Sequence, residues 1–273
     1  MIADFAEIEA FAAGVFNRAA FASQSIEFSQ TELKANYGRR SGNLTEGALL
    51  IGNEPQFAIL DNTFGMAAWS VILSVDLRRS SKRAVEIGAE HTYLTMHTYL
   101  TTMAELVKRA NGKIVGLRGD GLFAAFGLTK LIGTGSEVTN HVAHTAIKCA
   151  TRCGKAMLEA TDGIINPLLA RNEIRGDLAI GVGISVGNVV VTRIGLGDAN
   201  EVTVYGPPVN QACKYCNKTN EIALTVGAWD IYPSAENGRI RFKSFEGGFT
   251  PLFPADYVML KKNQEKRQTP RPR

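Results

Sequence analysis

Two aspartates have the residue type and the setting that would allow this chain to do chemistry. Asp76 ends an apolar, β-branched run that begins at Trp69, and Asp120 lies at the tip of Gly119-Asp120-Gly121. Neighbouring carboxylates repel each other unless a cation lies between them, and hard oxygen ligands suit Mg²⁺ or Mn²⁺ together with substrate phosphates. Two such ions can activate one oxygen and stabilise the leaving oxygen of an in-line displacement. The residues alone also allow Asp76 to cap a helix and Asp120 to be an ordinary turn residue.

Apolar periodicity predicts the elements that would position these carboxylates. In chain order we expect a buried strand at 69–76, a helix at 80–110 and a hairpin whose strands are 113–118 and 122–126. A second helix at 137–160 and a strand pair at 178–186 and 188–194 follow. A strand at 201–205 follows, and then a helix of about ten residues that two prolines open at 207. Three more strands are expected at 222–226, 239–242 and 256–260. Ser80 or Ser81 would cap the first helix, Asn166-Pro167 would break the second, and Gly187 would join the strand pair.

The order β-α-β-β-α-β, continued by further strands, is the ferredoxin-like α+β arrangement. In its β-α-β-β part, the strand that ends at Asp76 can lie beside the hairpin that carries Asp120. The predicted topology therefore allows the two carboxylates to meet at one edge of the sheet.

Composition and charge argue against several classes of protein. The chain is 45% hydrophobic and 21% charged, which is typical of a folded globular protein. Six Lys or Arg and one Glu lie in 261–273, so this segment supplies all of the net charge of +4, and we expect it to be a basic disordered tail. The apolar run at 11–16 follows acidic residues, and the run at 66–75 is far shorter than the roughly 20 residues of a membrane span. We therefore expect a cytoplasmic protein that binds neither membrane nor nucleic acid.

The four cysteines occur in two pairs, Cys149 with Cys153 and Cys213 with Cys216. The spacing of the second pair would allow zinc or redox chemistry. Because both pairs fall in predicted helices, reduced thiols packed in the core are the favoured interpretation.

Four segments, in order, resemble those of the class III adenylate and guanylate cyclases. The segments 75–81 (VDLRRSS) and 119–127 (GDGLFAAFG) look like the two metal-binding segments of that family. Residues 182–190 are similar to its GI..G.V strand pair, and 205–212 resemble its G..VN.A helix start. The resemblance spans about 69–260 and implies a cyclase catalytic domain at 66–260, preceded by a helical N-terminal extension at 1–65 in which no chemistry is visible.

The resemblance implies a role for individual residues. Two divalent ions, Mn²⁺ or Mg²⁺, would be held by Asp76, the Leu77 carbonyl and Asp120. The triphosphate would lie on the backbone at a helix N-terminus, at Arg78, Arg79, Ser80 and Ser81. Asn210 would orient the ribose, and Lys214 stands where the family carries an arginine that steadies the α-phosphate. Lysine keeps the charge of that arginine but loses its bidentate fork.

The two positions that select the base in this family carry residues different from those of the purine cyclases. Gly116 stands where the family usually has Lys for ATP or Glu for GTP, and Thr203 stands where it often has Asp. A site without these hydrogen-bonding partners loses most of its purine discrimination. The chain thus resembles the pyrimidine cyclases of the bacterial Pycsar anti-phage systems, which implies cyclic UMP or cyclic CMP as a signal for a separate effector protein. We expect UTP as the favoured substrate and CTP as the second.

The resemblance also implies a head-to-tail homodimer with two composite active sites, because the family takes its metal aspartates and its Asn/Arg pair from different subunits. Two other functions stay open: an adenylate cyclase with unusual base contacts, and a catalytically inactive nucleotide-binding sensor. A diguanylate cyclase would need a Gly-Gly-Asp/Glu-Glu-Phe turn, which 118–122 does not supply.

Overall fold

The computed structural model describes residues 2–26, 50–51, 57, 60, 64–131, 138–196, 199–233 and 238–261. The predicted basic tail, except for its first residue, and much of the predicted extension at 1–65 lie outside these ranges. The strands are β1 Ala3–Asp4, β2 Gly65–Leu77, β3 Lys113–Arg118, β4 Gly121–Lys130, β5 Ile180–Leu196, β6 Ala199–Tyr205, β7 Glu221–Thr225, β8 Arg241–Phe245, β9 Gly248–Leu252 and β10 Leu260–Lys261. The helices are α1 Phe5–Ile26, α2 Ser80–Arg109, α3 Asn140–Ala160, α4 Asn166–Arg171, α5 Pro207–Tyr215 and α6 Val226–Asp230.

One mixed sheet organises the molecule, with strand order β3-β4-β2-β5-β7-β9-β8 and β6 paired to the outer part of β5. Its first four strands, with α2 and α3 between them in sequence, have the predicted ferredoxin-like order. The α+β fold class is therefore confirmed, including the side-by-side placement of β2 and β4.

Side chains alternate along β2, and this alternation gives the sheet two different faces. Val71, Leu73 and Val75 point into the main core, which is covered by α1, α2 and α3. Ser74 and Asp76 therefore belong to the opposite face, where a smaller apolar cluster lies around Ile72.

Helix α1 belongs to the main core rather than lying apart from it. Its residues Ile8, Ala12 and Phe16 are buried there, and Arg109 of α2 pairs with Glu7 at 2.6 Å. Strand β1, just before α1, pairs in parallel with β10 near the other end of the described chain.

Three sequence predictions about the sheet and the second helix were wrong. Gly187 does not join two strands, because β5 runs unbroken through it and pairs with the whole length of β2. Asn166-Pro167 does not break the second helix: α3 passes into a π-helical turn, Thr161–Ile165, and Pro167 lies in the first turn of α4, where its missing N–H costs nothing. Residues 256–260 add no strand to the main sheet, and the hairpin β8–β9 completes it instead.

The predicted cap of the first helix was also wrong. Arg79 holds the N-cap position with φ 58°, and no side chain caps the helix. The long helix α2 is interrupted at Gly88, whose φ of 79° lies outside the helical range.

All four cysteines are free thiols, with Cys153 and Cys216 buried. Within the described ranges, no three or more His, Cys, Asp or Glu side chains gather as a metal site, so zinc has no support there. No helix in the described part of the chain is both long and apolar enough to cross a bilayer.

Two glycines of β5 allow α5 to lie directly on the sheet. A Cβ at Gly183 would overlap the Ala212 carbonyl oxygen and lie 2.6 Å from the Cys216 nitrogen, and Gly181 meets the same helix end. The contact is between backbones, so neither partner has a flexible side chain that can move aside.

We expect Gly183→Ala to lower the free energy of unfolding by about 3 kcal/mol or more, because the added methyl must push α5 off β5. Urea unfolding would measure the change. Gly227→Ala is the matched control, because the nearest atom to its new methyl would be Val186 Cγ1 at 3.7 Å. Equal urea midpoints for the two variants would contradict this packing.

Candidate active site

The antiparallel pairing of β2 with β4 brings the two aspartates to one edge of the sheet. Asp76 lies opposite Gly121 on β4 and opposite Gly181 on β5. Asp120 precedes Gly121 in the two-residue turn of the β3–β4 hairpin, where Gly119 adopts φ 61°. The meeting of the two carboxylate-bearing segments, expected from the predicted topology, is therefore present.

The glycine opposite Asp76 makes room for its carboxylate. A Cβ at Gly121 would lie 3.0 Å from the Val75 carbonyl oxygen and 3.3 Å from Asp76 Oδ1. The space beside the carboxylate is therefore open only because this position has no side chain.

Arg78 forms an ion pair with Asp76, and sequence analysis did not foresee this contact. The two side chains are 21% and 32% exposed, so the pair is only partly screened by water. Arg78 Nη1 also donates to the Asn217 carbonyl oxygen at 3.5 Å, at the end of α5. The only sequence signal was an arginine two residues after the aspartate, a spacing that does not by itself place the two side chains together.

The predicted phosphate-binding segment, 78–81, turns from β2 into α2. The Arg78 N–H already donates to the Ala179 carbonyl oxygen at 2.7 Å, so it is not free to bind an anion. The N–H groups at the start of an α-helix have no acceptor within the helix. Those of Arg79, Ser80 and Ser81 are thus the ones suited to a phosphate.

A cavity of about 530 Å³ opens beside Asp76 and joins several of the predicted site residues. Asp76, Gly116, Thr203 and Asn210 all line it. Asp120 and Lys214 do not line it, and the Lys214 side chain is exposed on α5. One chain therefore brings Asp76, Gly116, Thr203 and Asn210 together, whereas neither Asp120 nor Lys214 lines the same cavity.

The base positions form the wall of the cavity away from the sheet's centre. A Cβ at Gly116 would meet only Arg118 Nε, at 3.8 Å, so this part of the wall is open. Thr203 is 2% exposed and lies on β6, opposite Thr192 of β5. Arg118 also lines the cavity and pairs with Glu201 at 3.3 Å, a contact that links β3 to β6 and that the sequence did not indicate.

Asn210 is positioned by the packing of α5 on β5. The neighbouring Gln211 accepts a hydrogen bond from the buried Ser185 hydroxyl at 2.8 Å, and Ser185 in turn accepts one from Thr225 at 3.4 Å. The first contact ties α5 to β5, and the second holds the Ser185 hydroxyl that makes it; Asn210, next to Gln211, lines the cavity.

Two buried groups lie beneath the site. Burial raises the pKa of the Tyr99 hydroxyl, and the negative charge of Asp120 adds to this effect, so that the phenol stays protonated. Its oxygen is fully buried and has no hydrogen-bond partner among the described residues. Burial likewise raises the pKa of the Cys216 thiol, while a hydrogen bond with Ser74 acts in the opposite direction. Neither group carries charge at neutral pH.

The donor set fits a hard divalent cation. Asp76, Asp120 and the Leu77 carbonyl supply oxygen ligands of the kind that Mg²⁺ and Mn²⁺ prefer, with the remaining ligands left to phosphates and water. The Asp76 carboxylate is already paired with the Arg78 guanidinium, so a metal ion at this carboxylate would have to compete with that group.

Comparison with known proteins gives one curated relative and many similar structures. No protein-family model matches the chain. The chain is 29% identical over 170 residues to a cytidylate cyclase from Escherichia coli, a match that spans 60% of this chain and 35% of that protein. It therefore covers about a third of the length of that relative.

The fold matches solved cyclases. The adenylyl cyclase CyaB from P. aeruginosa superposes with a TM-score of 0.54 at 20% identity, over 69% of this chain and 94% of that one. The guanylyl cyclase Cya2 superposes equally well, at 20% identity over 72% of this chain and 100% of that one. This chain has the class III nucleotidyl cyclase fold. The resemblance that the sequence indicated through four short segments is confirmed, and three of those segments, 75–81, 119–127 and 205–212, contribute residues to the cavity.

Proposed function

We propose that this chain is a nucleotidyl cyclase that converts a pyrimidine nucleoside triphosphate to its 3′,5′-cyclic monophosphate and pyrophosphate. The observation that carries the proposal is the β2–β4 register, which sets Asp76 and Asp120 at one edge of the sheet beside a cavity of about 530 Å³. Alignment of these groups with one triphosphate would satisfy the geometric needs of an in-line displacement.

The 3′-oxygen attacks the α-phosphorus, the O3′–P bond forms, and the bond from that phosphorus to the pyrophosphate oxygen breaks. Asp76, the Leu77 carbonyl and Asp120 would hold two divalent ions, Mn²⁺ or Mg²⁺, which would supply positive charge that favours loss of the 3′-hydroxyl proton to water and offsets charge on the leaving pyrophosphate. Asn210, supplied with Lys214 by the second subunit of a homodimer, would hold the ribose so that its 3′-oxygen faces the phosphorus. The N–H groups of 79–81 receive phosphate oxygens at the start of α2.

A homodimer would complete the site. Asn210 and Lys214 lie one helical turn apart on α5, and Lys214 is exposed outside the cavity that Asp76 lines, so we propose that a second subunit supplies both members of this pair. Apolar side chains are exposed next to this cavity on β3, β5 and β6, as expected of a surface that a partner covers: Leu117, Val190, Ile194, Leu196 and Tyr205.

A pyrimidine base is supported by the form of the cavity wall. Gly116 offers no side chain and Thr203 offers one hydroxyl, which can donate or accept a hydrogen bond. The curated relative is a cytidylate cyclase, which supports CTP, whereas the resemblance to the Pycsar cyclases favoured UTP. We therefore propose both pyrimidine triphosphates as substrates to be compared directly.

The proposal extends to signalling. A cyclic pyrimidine nucleotide made here would act on a separate effector protein, as in the anti-phage systems whose cyclases this sequence resembles. The resemblance and the cytidylate cyclase relative support this role.

With Mn²⁺ present, we expect CTP or UTP to give a cyclic monophosphate and pyrophosphate, and ATP and GTP to give little, as measured by chromatography and mass spectrometry. Asp76→Asn and Asp120→Asn should each lower the rate by roughly a thousandfold or more, because each removes a charge that binds the cations. Asp162→Asn, at an exposed carboxylate of the π-helical turn, is the matched control and should keep its activity.

Each other outcome of that experiment has a definite meaning. Product mainly from ATP would replace the pyrimidine proposal by an adenylate cyclase. No product from any of the four triphosphates, with nucleotide still bound, would support an inactive sensor. Full activity of Asp120→Asn would refute the assignment of the metal site.

Thr203→Val keeps the shape of the side chain but removes its hydroxyl. We expect kcat/KM for the better pyrimidine substrate to fall about tenfold to a hundredfold, because a buried hydrogen bond to the base is lost. Thr192→Val, at the paired position on β5 and outside the cavity, should change kcat/KM less than about twofold. Equal effects of the two substitutions would remove Thr203 from base recognition.

A further inference from the structure

The Arg78 guanidinium lies where a cation would contact Asp76. It is paired with the Asp76 carboxylate, the group that the proposed function gives to a divalent ion. Both side chains are mostly buried but not sealed from solvent, so an ion can reach the carboxylate. A guanidinium and a divalent ion cannot occupy the same side of one carboxylate, so their binding there is mutually exclusive.

Beyond Asp76, the Arg78 side chain contacts the residues that follow α5, including a hydrogen bond with the Cys216 thiol. Nη1 donates to the Asn217 carbonyl oxygen at 3.5 Å, which is long for such a bond. Nε is buried and has no hydrogen-bond partner among the described residues. A buried donor without an acceptor costs free energy, so the free energy of the Arg78 side chain would fall if it exchanged its present partners for a better acceptor.

A better acceptor would bind directly beside it. Arg78 lines the cavity that contains Asp76 and Asn210, and it also lines a neighbouring groove of about 390 Å³ with Arg79 and Lys82. The start of α2, at the place proposed for the triphosphate, contributes Arg79 and Lys82 to that groove. A guanidinium that leaves Asp76 can therefore turn toward phosphate oxygens, which its planar fork binds in bidentate fashion.

We propose that a divalent ion displaces the Arg78 guanidinium from Asp76 and that Arg78 then helps to position the triphosphate. Without metal it neutralises Asp76 and keeps that carboxylate at the cavity edge; when a divalent ion takes Asp76, the guanidinium moves to an oxygen of the triphosphate. The ion and Arg78 thus compete for Asp76, while the ion and the nucleotide favour each other's binding, as reciprocal linkage requires. This inference rests on the proposed function.

Arg118 provides a comparison of equal charge. It lines the same cavity and lies next to the Gly119-Asp120 turn, but its partner is Glu201 and its side chain is 58% exposed. The proposal therefore concerns the contact with Asp76 and not the general effect of removing a positive charge near the site.

The test is a titration of Mn²⁺ into nucleotide-free protein, with free Mn²⁺ followed by electron paramagnetic resonance. Arg78→Met should tighten Mn²⁺ binding by about tenfold, because the competing ion pair is gone. Arg78→Lys should bind Mn²⁺ nearly as the native protein does, because a cation still competes. Arg118→Met should change the affinity less than about twofold. Arg78→Gln is the second neutral variant, for use if Arg78→Met does not fold.

Steady-state kinetics supply a second readout. At saturating Mn²⁺, Arg78→Met and Arg78→Lys should both raise KM for the pyrimidine triphosphate by roughly tenfold while kcat changes less, because a ground-state phosphate contact is lost. Native product formation together with unchanged Mn²⁺ affinity in both neutral variants would overturn the proposal and leave the cyclase function standing. No Mn²⁺ binding by any variant, with no cyclic product from the native protein, would overturn both.

Discussion

The register between β2 and β4 is the constraint on which the rest of the site depends. Side chains along β2 alternate between the main core and the cavity face, so a slip of one residue would turn Asp76 into the core and Val75 toward the cavity. The tight turn between β3 and β4 fixes where Asp120 falls relative to that register. A strong hydrophobic pattern on one face thus specifies the placement of charge on the other.

The second constraint is the direct packing of α5 on β5. Gly181 and Gly183 let the helix approach the strand so closely that Asn210 faces the cavity at the end of β2. The same approach brings the end of α5, at Asn217, within reach of Arg78. The Asp76 carboxylate is therefore already paired with a cation of its own chain.

Much of this arrangement was predictable from the sequence, for physical reasons. The Asp76 strand and the Asp120 hairpin have strong local signals, and their order in the chain determines which strands are neighbours. Gly187 misled the prediction, because the cost of glycine within a strand is local, whereas pairing with thirteen residues of β2 holds β5 straight. Pro167 also misled the prediction, because a π-helical turn precedes it and the chain stays helical into α4. The ion pair between Arg78 and Asp76 could not be predicted from the sequence, because it depends on the geometry of a turn and on the packing of α5. No short segment of sequence encodes either of these.

Diffraction from crystals grown with Mn²⁺ and a 3′-deoxy pyrimidine triphosphate tests the central claim most directly, because this analogue lacks the attacking oxygen and cannot react. Anomalous scattering would locate the ions. We predict two Mn²⁺ peaks about 3.5–4 Å apart, held by the carboxylates of Asp76 and Asp120 and by phosphate oxygens. A nucleotide bound in the cavity with no ion at these carboxylates, and with Asp76 still paired with Arg78, would contradict the account.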